Sequence, residues 1–195
     1  MKKMTLDNAK LRKIFKEGLC TIAALWLFNE LCAYNRATAQ VAGELVSAVL
    51  AAPAEELYKA AFALTPIGWS GASMLGVMEF LAYIGEGQPV IARIPAFIMH
   101  LATGAMYYAL VVNKKKLWLI FAAPLGIVMH GMFNYLSVMK PWVLIYQEFF
   151  LGIPVKKYLE FQNLWWVIAF VIAFAAIGVV SYYWVKKGGE KKVGE

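Results

Sequence analysis

Long apolar stretches separated by short polar or glycine-bearing breaks run through this chain from residue 18 to residue 185. Residues 164–185 form an uncharged run of 22, and residues 117–139 form a run of 23 interrupted only by His130 and Asn134. As helices, both are long enough to cross a hydrocarbon core of about 30 Å. Residues 18–34, 38–63, 68–85 and 91–112 repeat the pattern with polar residues inside it, which makes six spans in all. Residues 142–155 number only 14 and contain Glu148, Gly152 and Pro154, so they suit a re-entrant or interfacial piece. A seventh span there is the alternative. The predicted fold is all-α: a polytopic membrane helix bundle of about six to seven transmembrane helices around a polar intramembrane site.

Composition agrees. With 195 residues, 62% hydrophobic and 16% charged, the chain is too apolar for a soluble domain of its size. It has no linker or internal repeat, so residues 1–195 form a single integral membrane domain. The net charge of +7 comes from clusters beside the spans. Lys2, Lys3, Lys10, Arg12, Lys13 and Lys16 lie in a basic segment, residues 1–17; Lys114, Lys115 and Lys116 lie between the fourth and fifth spans; Lys186, Lys187, Lys191 and Lys192 lie in the polar tail, residues 186–195. With six spans these clusters share one side, which the positive-inside rule makes cytoplasmic. The expected location is a cell membrane, multi-pass, with the N-terminus in the cytoplasm. Lys156 and Lys157 run against this topology. No cleavable signal is expected, and no recognition motif accompanies the basic residues, so nucleic acid is not an expected partner. Cys20 and Cys32, about 18 Å apart on one predicted helix, cannot pair with each other and are expected to be buried structural thiols.

Against this apolar background, five ionisable residues stand out: Glu55, Glu56, Glu79, His100 and His130, the last two being both of the chain's histidines. A charge near the centre of a bilayer costs roughly 2.5 to 3.5 kcal/mol on insertion scales, so such groups face a polar interior. In the second span Pro53 should bend the helix just before Glu55 and Glu56, and Lys59 follows one turn later. In the third, Gly76, Glu79 and Tyr83 share a face. His100 sits mid-span with Thr103 and Gly104 one turn on, and His130 sits mid-span with Asn134 at i+4. Counted at roughly 1.5 Å per residue, Glu55, Glu79, His100 and His130 all lie about 12 to 20 Å from the cytoplasmic end. Four helices thus present ionisable groups in one layer.

Hydrolysis suits that layer. A buried carboxylate, Glu55 or Glu56, can take a proton from water, His100 can position that water, and His130 with Asn134 can donate to the oxyanion. A metal version is equally open. Two histidines and a carboxylate (His100, His130 and Glu55) form a ligand set suited to zinc, although the spacing is not that of an HExxH helix.

Taken in order, Glu55-Glu56-x-x-Lys59, Glu79-x-x-x-Tyr83, Arg93 leading to His100 with Thr103 and Gly104, and His130-Gly131-x-x-Asn134 resemble the motifs of the PrsW family of intramembrane proteases, within the CAAX-protease and bacteriocin-processing superfamily. The resemblance covers residues 53–134. It implies a membrane-embedded peptidase that uses buried glutamates and histidines, Glu79 among them, to cleave membrane-anchored protein or peptide substrates. Ala60 stands where CAAX-type members carry arginine, and Phe80 where PrsW-like sequences usually have asparagine.

Other classes fit less of the pattern. Asp7 is the only aspartate, which excludes a two-aspartate intramembrane protease. Gly68-Trp69-Ser70-Gly71 matches a GxSG pattern, but Ser70 lies at the membrane edge and fits a helix-start serine. A transporter or proton relay could employ the same acids, as could a catalytically inactive relative, but the paired halves common in transporters are not visible.

Overall fold

The computed structural model describes residues 8–88, 90–139 and 161–190. These fold into α1 (Asn8–Ala42), α2 (Glu44–Ala63), α3 (Gly68–Gly85), α4 (Val90–Val112), α5 (Leu119–Met139) and α6 (Phe161–Glu190), with a 3-10 turn, Lys116–Trp118, leading into α5. Among the described residues there is no strand, so the all-α expectation stands. Three helices are long and apolar enough to cross a membrane: Arg93–Val112 in α4, Lys116–Leu136 in α5 with its 3-10 lead-in, and Ile168–Lys187 in α6. The pieces at residues 142–155 and Lys156–Lys157 fall outside the described residues.

The first boundary differs from the sequence expectation. Helix α1 continues through residues 35–37, where a break was expected, and ends beside Gly43, whose φ of 85° is open to glycine but strained for other residues. The polar run stays helical because its side chains bond locally and to α2. Thr38 Oγ1 donates to the Tyr34 carbonyl at 2.9 Å, and Ser47 Oγ donates to the Asn35 carbonyl at 2.9 Å. Pro53, Pro95 and Pro124 all lie inside continuous helices, so each removes one i to i−4 bond without ending its helix.

Helices α2 and α4 occupy the centre. The first packs against α1, α3, α4 and α5, the second against α2, α3, α5 and α6. Small apolar clusters fix the arrangement: Ala24, Tyr58, Phe62 and Leu75 join α1, α2 and α3, while Met99, Ala102, Phe133 and Phe174 join α4, α5 and α6. Tyr58 also donates from its hydroxyl to the Ala24 carbonyl at 3.1 Å. A Cβ on Gly76 would collide with His100 Cβ, so glycine here lets α3 approach α4 beside the histidine. The outer faces are strongly apolar: Phe15, Ile22, Trp26, Phe121, Val128, Ile172 and Val180 are each more than half exposed.

Candidate functional site

Helix α2 delivers Glu55, Glu56 and Lys59, α3 delivers Glu79, α4 delivers His100 and α5 delivers His130. Glu55, Glu56, Lys59, His100 and His130 are all buried. Glu55 Oε2 lies 3.9 Å from His100 Nε2 and 3.5 Å from His130 Nε2. The two imidazole rings meet edge to face with centroids 5.1 Å apart. Glu79 Oε2 lies 2.7 Å from His100 Nε2, off the hydrogen-bond axis. The four layer residues expected from the sequence therefore meet in one cluster.

The two adjacent glutamates have different surroundings. Lys59 Nζ and His130 Nδ1 both donate to Glu56 Oε1, the histidine at 2.9 Å, and Tyr107 Oη donates to Glu56 Oε2 at 2.6 Å. Lys59 also donates to Thr103 Oγ1 at 3.0 Å. Glu56 thus binds its own helix, α4 and α5 together. Among the described residues Glu55 has a single hydrogen-bond donor, the Asn35 amide of α1 at 3.3 Å, and its other oxygen faces the imidazoles. Of the pair, Glu55 is the carboxylate left available to a further partner.

Hydrogen bonding also assigns the histidine protons. An ionised Glu56 only accepts, so His130 carries its proton on Nδ1 and presents a bare Nε2 toward Glu55 and His100. A carboxylate oxygen 2.7 Å from His100 Nε2 favours a proton on that nitrogen, while His100 Nδ1 is buried without a hydrogen-bond partner among the described residues.

Glu55, His100 and His130 each offer a ligand atom within 4.8 Å of the others and could hold a metal ion. The donor set suits one: two imidazoles with a carboxylate, and a carboxylate, Glu56, gripping the far nitrogen of one imidazole, an arrangement that fixes metal-binding histidines elsewhere.

Asn134 takes a different position from the oxyanion role expected of it. Its amide donates to the Ala48 carbonyl of α2 at 2.8 Å and ties α5 to α2. Ser70 donates to the Ile67 carbonyl at 2.6 Å and is exposed, as a helix-start serine would be. Cys20 and Cys32 are free. Two participants were not singled out from the sequence: Asn35 and Tyr107. Tyr107 had a usable signal, since it follows His100 by seven residues and Thr103 by four, on one helical face. Asn35 had none, because its stretch read as a break between spans.

No family model, curated protein or solved structure matches this chain. The functional reading rests on the cluster itself.

Proposed function

We propose that the protein is a multi-pass intramembrane peptidase of PrsW-like type, with six spans, a cytoplasmic N-terminus and Glu55, His100 and His130 as its catalytic residues. One observation carries this reading: an under-bonded buried carboxylate, Glu55, faces two imidazole Nε2 atoms at 3.5 and 3.9 Å, each ring on a different helix. A water molecule held there meets two acceptors, the Glu55 carboxylate and the bare His130 Nε2, which orient its lone pair toward a peptide carbonyl. His100 Nε2–H donates to the carbonyl oxygen as it gains negative charge. The hydrogen bonding thus favours His130 for the water and His100 for the oxyanion, the reverse of the order suggested by sequence. Glu55 takes the proton from water, the oxygen bonds to the carbonyl carbon, and the C–N bond breaks as Glu55 passes that proton to the leaving amine. Glu56 holds His130 in its productive tautomer, and Lys59 and Tyr107 hold Glu56.

A metal-dependent form of the same site is the second reading, favoured by the Glu55, His100 and His130 ligand set. Bound zinc would acidify a water and polarise the carbonyl. The residues would then be ligands, with Glu56 still fixing His130 and Glu79 held beside His100.

Membrane-anchored proteins or peptides are the proposed substrates, a reading supported by the exposed apolar surface of the bundle, which is compatible with a lipid surrounding. The test is cleavage of single-span reporter peptides by the purified full-length protein in liposomes, with products sequenced by mass spectrometry and metal content measured in parallel. Cleavage at one defined bond, lost in Glu55→Gln, is the expected result. Absence of any cleavage across a broad reporter set would overturn the reading. Activity that survives chelation in metal-free protein selects the glutamate form over the zinc form.

A further inference from the structure

A closed crevice, too tight to hold a water molecule, runs between α3 and α4, lined by Gly76, Glu79, Phe80, Tyr83, Arg93 and His100 among others. Its inner end is the catalytic cluster. Its outer end is Arg93, at the first residue of the apolar span of α4. The guanidinium is held in place from two directions. It lies over the Tyr83 ring, 3.4 Å from the centroid, and both its Nε and one terminal nitrogen donate to Gln88 Oε1, the former at 2.7 Å. Among the described residues no carboxylate pairs with it.

Among the described residues the hydrogen-bond acceptor of this half-buried guanidinium is a neutral amide, with the Glu79 carboxylate lining the same crevice, and three N–H donors are left in a geometry that matches a carboxylate in two-pronged fashion. Its aromatic backing and the Gln88 bonds restrict its rotamers in advance, so little conformational freedom is lost when an anion binds. A residue serving only to anchor the helix in lipid headgroups would extend from the outer face. Arg93 instead turns to the α3–α4 crevice, against Tyr83 and Gln88.

We infer that Arg93, backed by Tyr83 and Gln88, is a specificity subsite for a carboxylate carried by the substrate at the membrane boundary. The inference rests on the peptidase reading and adds to it the substrate's chemistry. Seven residues of α4 separate Arg93 from His100, roughly 10 Å at 1.5 Å per residue, which an extended peptide covers in about three residues. The subsite therefore selects an acidic group about three residues from the scissile bond. The Phe80 and Phe97 rings, with centroids 4.9 Å apart, stand across the cleft and must part to admit the peptide.

The experiment uses full-length protein in nanodiscs and a fluorescent single-span leucine-alanine peptide with one Asp moved through successive juxtamembrane positions, each paired with its Asn counterpart. Binding is read on the Glu55→Gln variant and cleavage on the wild type. One register should bind the Asp peptide about tenfold or more tightly and be cleaved with the same preference, in line with a charge-assisted bidentate pair. Arg93→Gln should make Asp and Asn peptides equivalent, and Arg93→Glu should prefer a Lys peptide in that register. Amidating the peptide's C-terminus separates its two sources of carboxylate, since a preference that survives belongs to the side chain and one that vanishes belongs to the terminus. Equal binding of Asp and Asn peptides at every register overturns the subsite; if that binding also depends on anionic lipid, Arg93 holds a headgroup. An Arg93-dependent binding preference without any cleavage leaves the subsite standing and removes the peptidase reading.

Discussion

Glu55 and Glu56 are neighbours along the backbone and yet have different surroundings. A helix turns about 100° per residue, so neighbouring side chains face different helices. Glu56 meets Lys59, Tyr107 and His130, and Glu55 meets Asn35 and the imidazoles. Substituting each should therefore have a different signature. Glu55→Gln should reduce peptide cleavage by about 10²- to 10⁴-fold with the fold intact in detergent, because it removes the base and preserves the shape. Lys59→Met should cost stability first, about 3 to 5 kcal/mol, because it leaves Glu56 buried without its cation. Thermal unfolding followed by circular dichroism separates the two; an unchanged melting temperature in Lys59→Met would show that Glu56 does not need the lysine. Tyr107→Phe removes one bond to a carboxylate and should slow cleavage by loosening His130 without abolishing it. The identities of the site residues were legible in the sequence, because ionisable groups are costly in apolar helices. Their division of labour was not, since it depends on hydrogen bonds between residues 44 to 86 positions apart.

Among the elements, α4 carries the most information. Arg93, His100, Thr103 and Tyr107 fall at intervals of seven, three and four residues, one polar stripe down a helix that also supplies an apolar face to α6. The stripe meets the α2 acids in its lower half and the α3 cleft in its upper half. Gly76 is the counterpart on α3. Any side chain there meets His100 Cβ, so Gly76→Ala should force α3 and α4 apart, cost about 1 to 3 kcal/mol by overpacking and reduce activity through His100. Wild-type activity in Gly76→Ala would mean that the α3–α4 contact has room the geometry does not show. Helix bounds for α3 and α4 follow the sequence pattern to within a residue, because apolar runs and glycine breaks coincide there. The α1–α2 boundary shifted to Gly43. Asn35 falls in the expected break, but its side-chain amide donates to Glu55 of α2 and its carbonyl accepts from Ser47 of α2, so the helix continues past it.

At the scale of the whole molecule, burial is inverted relative to a soluble bundle. Lys59, Glu56, His100 and His130 are fully buried while large aromatic and aliphatic residues cover the outside. Lipid is the solvent that such a surface fits. Among the described residues, α4, α5 and α6 reach the length and apolar content of a span by themselves, while α2 and α3, which carry Glu55, Glu56 and Glu79, pack against neighbouring helices. That distinction follows from the cluster and was only partly visible in the sequence, where all six stretches resembled spans. The six-span topology predicts that a cysteine placed at Gln88 is labelled by an impermeant thiol reagent from the side opposite to one placed at Lys114. Labelling of both from the same side would contradict it.

The central claim is that Glu55, His100 and His130 form one hydrolytic unit. Members of such a unit lose activity non-additively, since the first loss already disables what the others serve. The direct measurement is the single-turnover cleavage rate of a membrane-anchored peptide by full-length protein in liposomes, compared for wild type, Glu55→Gln, His130→Ala and the double variant. Each single variant is predicted to lose about 10²-fold or more, and the double variant to be no slower than the worse single. Near-normal turnover in either single variant, or losses that multiply in the double, would contradict the claim.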